Sequence, residues 1–351
     1  MMVLRGLLGI GEAAFVGIPF YLSFFYNRNE LAFRTGLFIS AAPLATSISG
    51  SIAWLITKSG RYVPISPWRT LFLLEGFPSI IAAVFVWIYI PDHPGKAAYL
   101  SSRQQKVACL RLGHRQLTSK DGTDCSRWED ARRTLLDPKA YLTAMMFFCC
   151  NVAFASLPVF LPSVIQEFGY SAIVSQALTA PPYLLAFCTV VLTAWLSDRA
   201  HSRSIFVVFH ALLACFGYIM MAVTSALQAH PVIRYLGVFP AATSLFSSIT
   251  IIITWTLNNQ ESEFSRGVSL SLLNYIGQLG PLVGVHLFPD SDSYTSGMFW
   301  CAFSMGLVAV LAILNRSMLI RENRSREATG LVSGESKVFE KWRKSEFIVM
   351  I

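Results

Sequence analysis

Residues 204–226 read SIFVVFHALLACFGYIMMAVTSA, 23 positions without a single Asp, Glu, Lys or Arg. A helix needs about 20 mostly apolar residues to cross the hydrocarbon of a bilayer. Lipid offers no water to backbone amides and carbonyls, so such a segment satisfies them by forming a helix. Outward from this stretch the pattern repeats, approximately over 4–26, 35–57, 69–90, 140–164, 172–196, 232–256, 267–288 and 296–315. Nine spans are therefore predicted. Two intervals differ in kind: 92–139, dense in charge and turn residues, and the basic tail 316–351. The reading is an all-α polytopic membrane protein in four parts: three helices over 1–91, a linker loop over 92–139, six helices over 140–315, and a tail over 316–351.

Composition agrees. Hydrophobic residues make up 54% of the 351 residues and charged residues only 14%, with mean hydropathy +0.52. Soluble domains carry about 25% charge, so too few charges exist to cover a soluble protein of this length. The seven cysteines are odd in number and lack paired C-x-x-C spacing, which fits small buried hydrophobes better than disulfides or zinc ligands. The start resembles a secretory leader only superficially, since Glu12 interrupts its apolar core and no small-residue cleavage pattern follows. Metalloprotease, nucleophile-elbow and P-loop motifs are missing from the sequence, so neither catalysis, a cofactor, a metal nor ATP hydrolysis is expected.

The net charge of +8 has a simpler origin than an acidic partner. If the loops alternate sides, the intervals 27–34, 92–139, 198–203, 258–266 and 316–351 share one side and hold 23 of the 28 Lys and Arg. That bias is the signature of cytoplasmic loops. It places the C-terminus in the cytoplasm and the N-terminus opposite, and it leaves no role for nucleic acid.

An ionisable group inside a span costs at least a few kcal/mol, so Arg5, Glu12, Glu75, His210 and His286 each need a reason. Arg5 and Glu12 are seven residues apart, on one helix face two turns apart. That face either lines a water-filled path, with Arg5 attracting an anion or perturbing a proton site, or holds an Arg–Glu pair that fixes packing. Among neutral groups, Asn151, Gln176, Tyr183, Asn274 and Gln278 suit a pathway as a set and interhelical hydrogen bonds singly. Asn274 and Gln278, four apart, are expected to share a face. Gly6, Gly9 and Gly17 in the first span, and Gly277, Gly280 and Gly284 in the eighth, permit close helix approach. Pro158, Pro162, Pro181 and Pro182 kink helices and free carbonyls. The interval 92–139 is basic and partly amphipathic, which fits either contact with anionic lipid or a plain solvated connection.

Several motifs resemble those of a known family. Ser197-Asp198-Arg199-Ala200-His201-Ser202-Arg203 resembles the D-R-x-x-x-R cytoplasmic gating motif of the major facilitator superfamily. Arg5-Gly6-Leu7-Leu8-Gly9-Ile10-Gly11-Glu12-Ala13 is similar to the R-x-x-L-G-x-x-E-A stretch of its fungal allantoate permease branch. Tyr26-Asn27-Arg28-Asn29-Glu30 to Arg34 resembles that branch's Y-P-R-x-E-x-x-x-R loop, with Asn27 in place of proline. Trp68 to Phe72 with Glu75-Gly76, Pro91-Asp92-His93-Pro94, Phe160-Leu161-Pro162, Pro181-Pro182-Tyr183 and Asn258-Asn259 with Arg266 follow in order.

The resemblance implies a helix bundle of that superfamily in the plasma membrane, taking up a small organic anion or vitamin such as allantoate, nicotinate or pantothenate together with a proton. Its partners would be the bilayer, that anion and the proton, with no oligomeric partner assigned. It implies that Asp198, Arg199 and Arg203 latch the cytoplasmic face, with Arg28, Glu30 and Arg34 as the companion loop. It makes Arg5 and Glu12 candidates for anion attraction and proton coupling. The family has twelve spans, and alignment sets Met1 just before the fourth, so an N-terminally truncated chain lacking three helices is expected. The alternatives are a non-transporting remnant, sensor or partner of full-length relatives, and a polytopic membrane enzyme.

Overall fold

The computed structural model describes residues 2–13, 15, 17–59, 66–97, 99–116, 124–167, 169–260, 262–288 and 294–332, the backbone alone at 5, 13, 59, 111–116, 124–127, 159, 160, 167, 172 and 326–332. Among these residues nine helical segments are long and apolar enough to cross a membrane: Met2–Leu22, Arg28–Lys58, Pro67–Tyr89, Pro138–Pro158, Ile173–Ala200, Ser204–Ala226, Pro231–Asn258, Glu263–His286 and Thr295–Ser325. They are the first to ninth spans below. The described residues contain no strand.

Span for span the segments match those read from hydropathy, and the differences lie at their ends. Helices continue past the hydrocarbon: the second span opens at Arg28, the fifth closes at Ala200, and the ninth runs on as Thr295–Val332 into the predicted tail. The apolar window marks the bilayer, whereas the helix ends where its backbone hydrogen bonds end. Much of the predicted linker loop is likewise helical, as Ser102–Gln116 and Asp124–Leu136.

The ninth span packs on the fourth and sixth, and the fourth, fifth, sixth and eighth pack against the seventh, whose window is 78% buried. Ala241, Ala242, Leu245, Ile251, Ile252 and Trp255 are sealed inside it. Glycines set two of the approaches. A Cβ built on Gly217 of the sixth span would lie 2.6 Å from the amide nitrogen of Ala241, and one on Gly280 of the eighth would lie 2.6 Å from the carbonyl oxygen of Phe148. Gly277 and Gly284 meet the fourth span just as closely. The same expectation fails in the first span, where Gly6, Gly9 and Gly17 have nothing within 4 Å among the described residues. That span is exposed nearly throughout, with 7% of its window buried.

One seam joins the two sets of spans. The second span lies along the fifth, where a Cβ on Gly36 would meet that of Ala194 at 2.5 Å and one on Gly50 the hydroxyl of Thr179 at 2.7 Å. Ser47 crosses this seam, its hydroxyl donating 3.0 Å to the carbonyl of Ala180. The third span packs against the second and buries none of its window. Apart from Arg69 and Glu75 its exposed side chains are almost wholly apolar, a surface that is stable in lipid and costly in water.

Helix breaks are repaired by neighbouring spans. Pro182 has no amide to offer the carbonyl of Leu178, and Tyr235 of the seventh span donates its hydroxyl there at 2.8 Å. Pro281 similarly deprives Gly277, and the eighth span stops at Gly277 and resumes at Leu279. The fourth span breaks between Phe154 and Ser156, where Tyr218 donates 2.9 Å to the carbonyl of Ala153.

Candidate functional site

The fifth span ends on a tight reversal. His201 adopts the left-handed conformation at φ 50°, and its amide donates 3.4 Å to the carbonyl of Asp198. Such C-terminal caps are commonly glycine, and histidine is among the residues that tolerate them. The reversal folds Arg203, which precedes the sixth span, back onto Asp198. Its guanidinium lies 2.5 Å from the carboxylate and donates 2.8 Å to the hydroxyl of Ser197. Ser197 donates in turn to the carbonyl of Ser202 at 3.0 Å. Arg203 is fully buried, and that burial pulls its guanidinium down from the ordinary arginine value while Asp198 opposes the shift.

From this pair, bonds cross to the second span. The amide of Phe33 donates 2.7 Å to the free oxygen of Asp198, and Arg203 donates 3.3 Å to the carbonyl of Arg28. Asn258, closing the seventh span, donates to that same carbonyl at 3.3 Å. The guanidinium of Arg28 reaches the carbonyl of Gln260 at 3.1 Å, with Arg266 on the same oxygen at 3.5 Å. Asp198 thus sits against the first turns of a helix, where the macrodipole favours an anion. A buried pair with both partners held in this way is stable, but removing one partner strands a buried charge.

The remaining residues of the two motifs stand apart. Arg199 is exposed, stacked 5.5 Å over the ring of Trp195, and Arg34 is exposed, 4.9 Å over Tyr26. Glu30 is half-buried in the first turn of the second span. The structure therefore brings Asp198, Arg203 and Arg28 together and leaves Arg199 and Arg34 on aromatic rings of their own segments.

The described parts of the five basic intervals gather at one end of the bundle. The bonds above unite 27–34, 198–203 and 258–266. Lys139 pairs with Glu322 of the ninth helix, tying 92–139 to 316–351. Leu135 and Glu263 line a common groove of about 570 Å³ with Phe20 and Tyr275.

Within the spans, Asn151 is buried and donates 3.2 Å to the carbonyl of Gly277, which Pro281 leaves without an amide. The hydroxyl of Tyr183 and the amide oxygens of Gln176 and Asn274 are buried without a hydrogen-bond partner among the described residues. Gln278 is the C-cap of the first part of the eighth span, and its amide donates 2.8 Å to the carbonyl of Asn274, so the helical register between the two residues holds; Gln278 is exposed and Asn274 half-buried. Glu12 is exposed, and the side chain of Arg5 lies outside the described residues, so their predicted pairing does too. His210 bonds Thr193 at 2.9 Å, joining the fifth and sixth spans, and His286 bonds the carbonyl of Leu282. Ser49 donates to Glu75, linking the second and third spans.

The seventh span, read from the sequence only as an apolar segment, carries Thr243, Ser244, Ser247, Ser248, Thr250, Thr254 and Thr256. Thr243, Ser247, Thr250, Thr254 and Asn258 recur at helical spacing on one face. Thr250 approaches Gly36 and Asn258 bonds Arg28, so this face meets the second span. The four hydroxyls each donate to a carbonyl four residues earlier, which hides them in hydropathy. Phe246 sits one position beside them, edge-on to Tyr183 at 6.0 Å and to Phe154 at 5.2 Å.

The family model described as Major Facilitator Superfamily matches residues 1–285. The "MFS transporter prlL" of Fungal sp. (strain NRRL 50135) is 31% identical over 338 residues, covering 95% of this chain and 68% of that protein. A "Putative tartrate transporter" of Agrobacterium vitis is 29% identical over 321 residues, 89% of this chain and 68% of the relative. Among solved structures, the proton:xylose symporter XylE bound to 6-bromo-6-deoxy-D-glucose superposes with TM-score 0.65 at 15% identity, covering 86% of this chain and 66% of that one. The chain spans about two thirds of the length of the proteins it matches.

Proposed function

The chain belongs to the major facilitator superfamily, and on that footing we propose that it is a plasma-membrane transporter carrying a small organic anion together with a proton. The motion is alternating access, the first three spans rocking against the last six. The observation that carries this reading is the latch at one end of the seam. Asp198 and Arg203 hold the backbone of the second span by a handful of hydrogen bonds, few enough to break and remake in each cycle.

The basic loops gathered at that end support a cytoplasmic face and a cytoplasmic C-terminus. An organic anion is supported by the motifs shared with the allantoate permease branch and by the relative named for tartrate. In this reading Arg5 attracts the anion and Glu12 carries the proton. Gln176, Tyr183 and Asn274, each with a buried side-chain oxygen that lacks a partner among the described residues, meet the substrate as the seam opens. Asn151 shapes the eighth span through Gly277, and Gln278 lies at its kink.

The purified chain in liposomes tests this. Labelled tartrate, nicotinate and allantoate are offered with an inward proton gradient, with and without a protonophore. Gradient-driven accumulation of one of them, abolished by the protonophore and by Arg5→Ala, is expected. Failure to accumulate any of the three sinks the reading.

A further inference from the structure

The two helices between the third and fourth spans carry an outward face that no span covers. In Ser102–Gln116 the inward side is set by Gln105, which donates 2.8 Å to the carbonyl of Ala97, and by Cys109, which lies against Gly95. The opposite side presents Arg103, Lys106, Val107 and Leu110, all exposed, Leu110 by 76%. These positions share one helix face. Asp124–Leu136 repeats the arrangement: Ala131 and Thr134 are buried and Leu135 lines the groove to the eighth span, while Trp128, Arg132 and Leu136 share the exposed side, Trp128 by 73%. Apolar residues flanked by cations, with a tryptophan, are what an interfacial helix presents to a bilayer surface.

The chain also fixes where these helices lie. Pro91, two residues beyond the third span, accepts a hydrogen bond from Tyr21 of the first at 2.5 Å. Leu136 is two residues before the fourth span, whose first turn Asp137 caps through the amide of Lys139 at 3.0 Å. Both ends of the connection are thus tied to span ends at the same side of the membrane. Over 92–139 the sequence holds ten Lys and Arg against six Asp and Glu. A net positive amphipathic pair held at a bilayer boundary is complementary to an anionic leaflet.

We propose that Ser102–Gln116 and Asp124–Leu136 lie on the membrane surface, with Val107, Leu110, Trp128 and Leu136 in the headgroup layer and Arg103, Lys106 and Arg132 on anionic phospholipid. This surface is separate from the latch and holds whether or not the proposed transport does.

Hydrogen exchange on the full chain in nanodiscs decides it, comparing phosphatidylcholine alone with discs containing about a third phosphatidylserine. Amides over 102–110 and 128–136 are expected to exchange roughly tenfold more slowly in the anionic discs. Both Arg103→Glu with Lys106→Glu and about 1 M salt, which shortens the screening length to about 3 Å, should erase the difference. A second variant, Val107→Ser with Leu110→Ser, should lose the protection with every charge retained. Equal exchange in the two discs overturns the proposal, as does equal protection of the detergent-solubilised chain by inorganic phosphate.

Discussion

The hydroxyl of Tyr235 stands 2.8 Å from the carbonyl of Leu178, four residues before Pro182. One span thereby supplies the hydrogen bond that a proline removed from another. Polar side chains linking membrane helices contribute about 0.6 kcal/mol on average and up to about 1.7. Tyr235→Phe is expected to destabilise the bundle within that range, read as a lowered unfolding temperature in detergent. Pro182→Ala restores an amide to Leu178, so the same Tyr235→Phe change should then cost nearly nothing. Additive losses in the double variant would disprove the coupling.

Within the motif over 197–203, the buried Asp198–Arg203 pair and the exposed Arg199 are expected to differ sharply in weight. Arg203 is buried against Asp198, so Asp198→Asn strands a buried guanidinium and should cost about 3–5 kcal/mol, less whatever opening of the seam relieves. Cysteines placed at this end should become more reactive to membrane-impermeant thiol reagents. Arg199→Ala removes only an exposed cation stacked on Trp195 and should change stability by less than about 0.5 kcal/mol. Equal effects from the two variants would show that the latch is not the Asp198–Arg203 pair.

Glycines that look alike in sequence should separate sharply. Gly280→Ala and Gly284→Ala push a methyl into the backbone of the fourth span at 2.6 and 2.5 Å, a clash that no side-chain rotation relieves. Each is expected to cost at least about 1–3 kcal/mol. Gly9→Ala and Gly76→Ala meet nothing within 4 Å and should be neutral or slightly stabilising through helix propensity. Expression and unfolding temperature of the four variants make the comparison.

Hydropathy alone located all nine spans, because the cost of unsatisfied backbone in lipid makes an apolar run of that length unambiguous. The charge bias predicts that the basic loops share one end, and the bonds from Arg28, Arg203 and Asn258 bring three of them together. Side-chain roles were legible only in part. Asp198 and Arg203 meet the second span through backbone groups, the amide of Phe33 and the carbonyl of Arg28, so no companion side chain in the sequence could announce the contact. The hydroxyl face of the seventh span was missed because its Ser and Thr bond their own helix and register as mildly polar rather than as a pattern.

Tyr183 separates a structural role from a functional one. It is 1% exposed, its ring lies edge-on to Phe246 at 6.0 Å, and its hydroxyl has no partner among the described residues. A buried hydroxyl left unpaired costs about 1–3 kcal/mol. Tyr183→Phe keeps the ring and its contact with Phe246 while removing that cost, so the unfolding temperature should hold or rise. If the hydroxyl meets the substrate once the seam opens, the same variant should raise KM for uptake roughly tenfold, the loss of one hydrogen bond of about 1.4 kcal/mol. Tyr183→Ala should lose both, since it also leaves a cavity beside Phe246. An unfolding temperature that falls in Tyr183→Phe, with KM unchanged, would mean that the hydroxyl serves packing and not the passage of the anion.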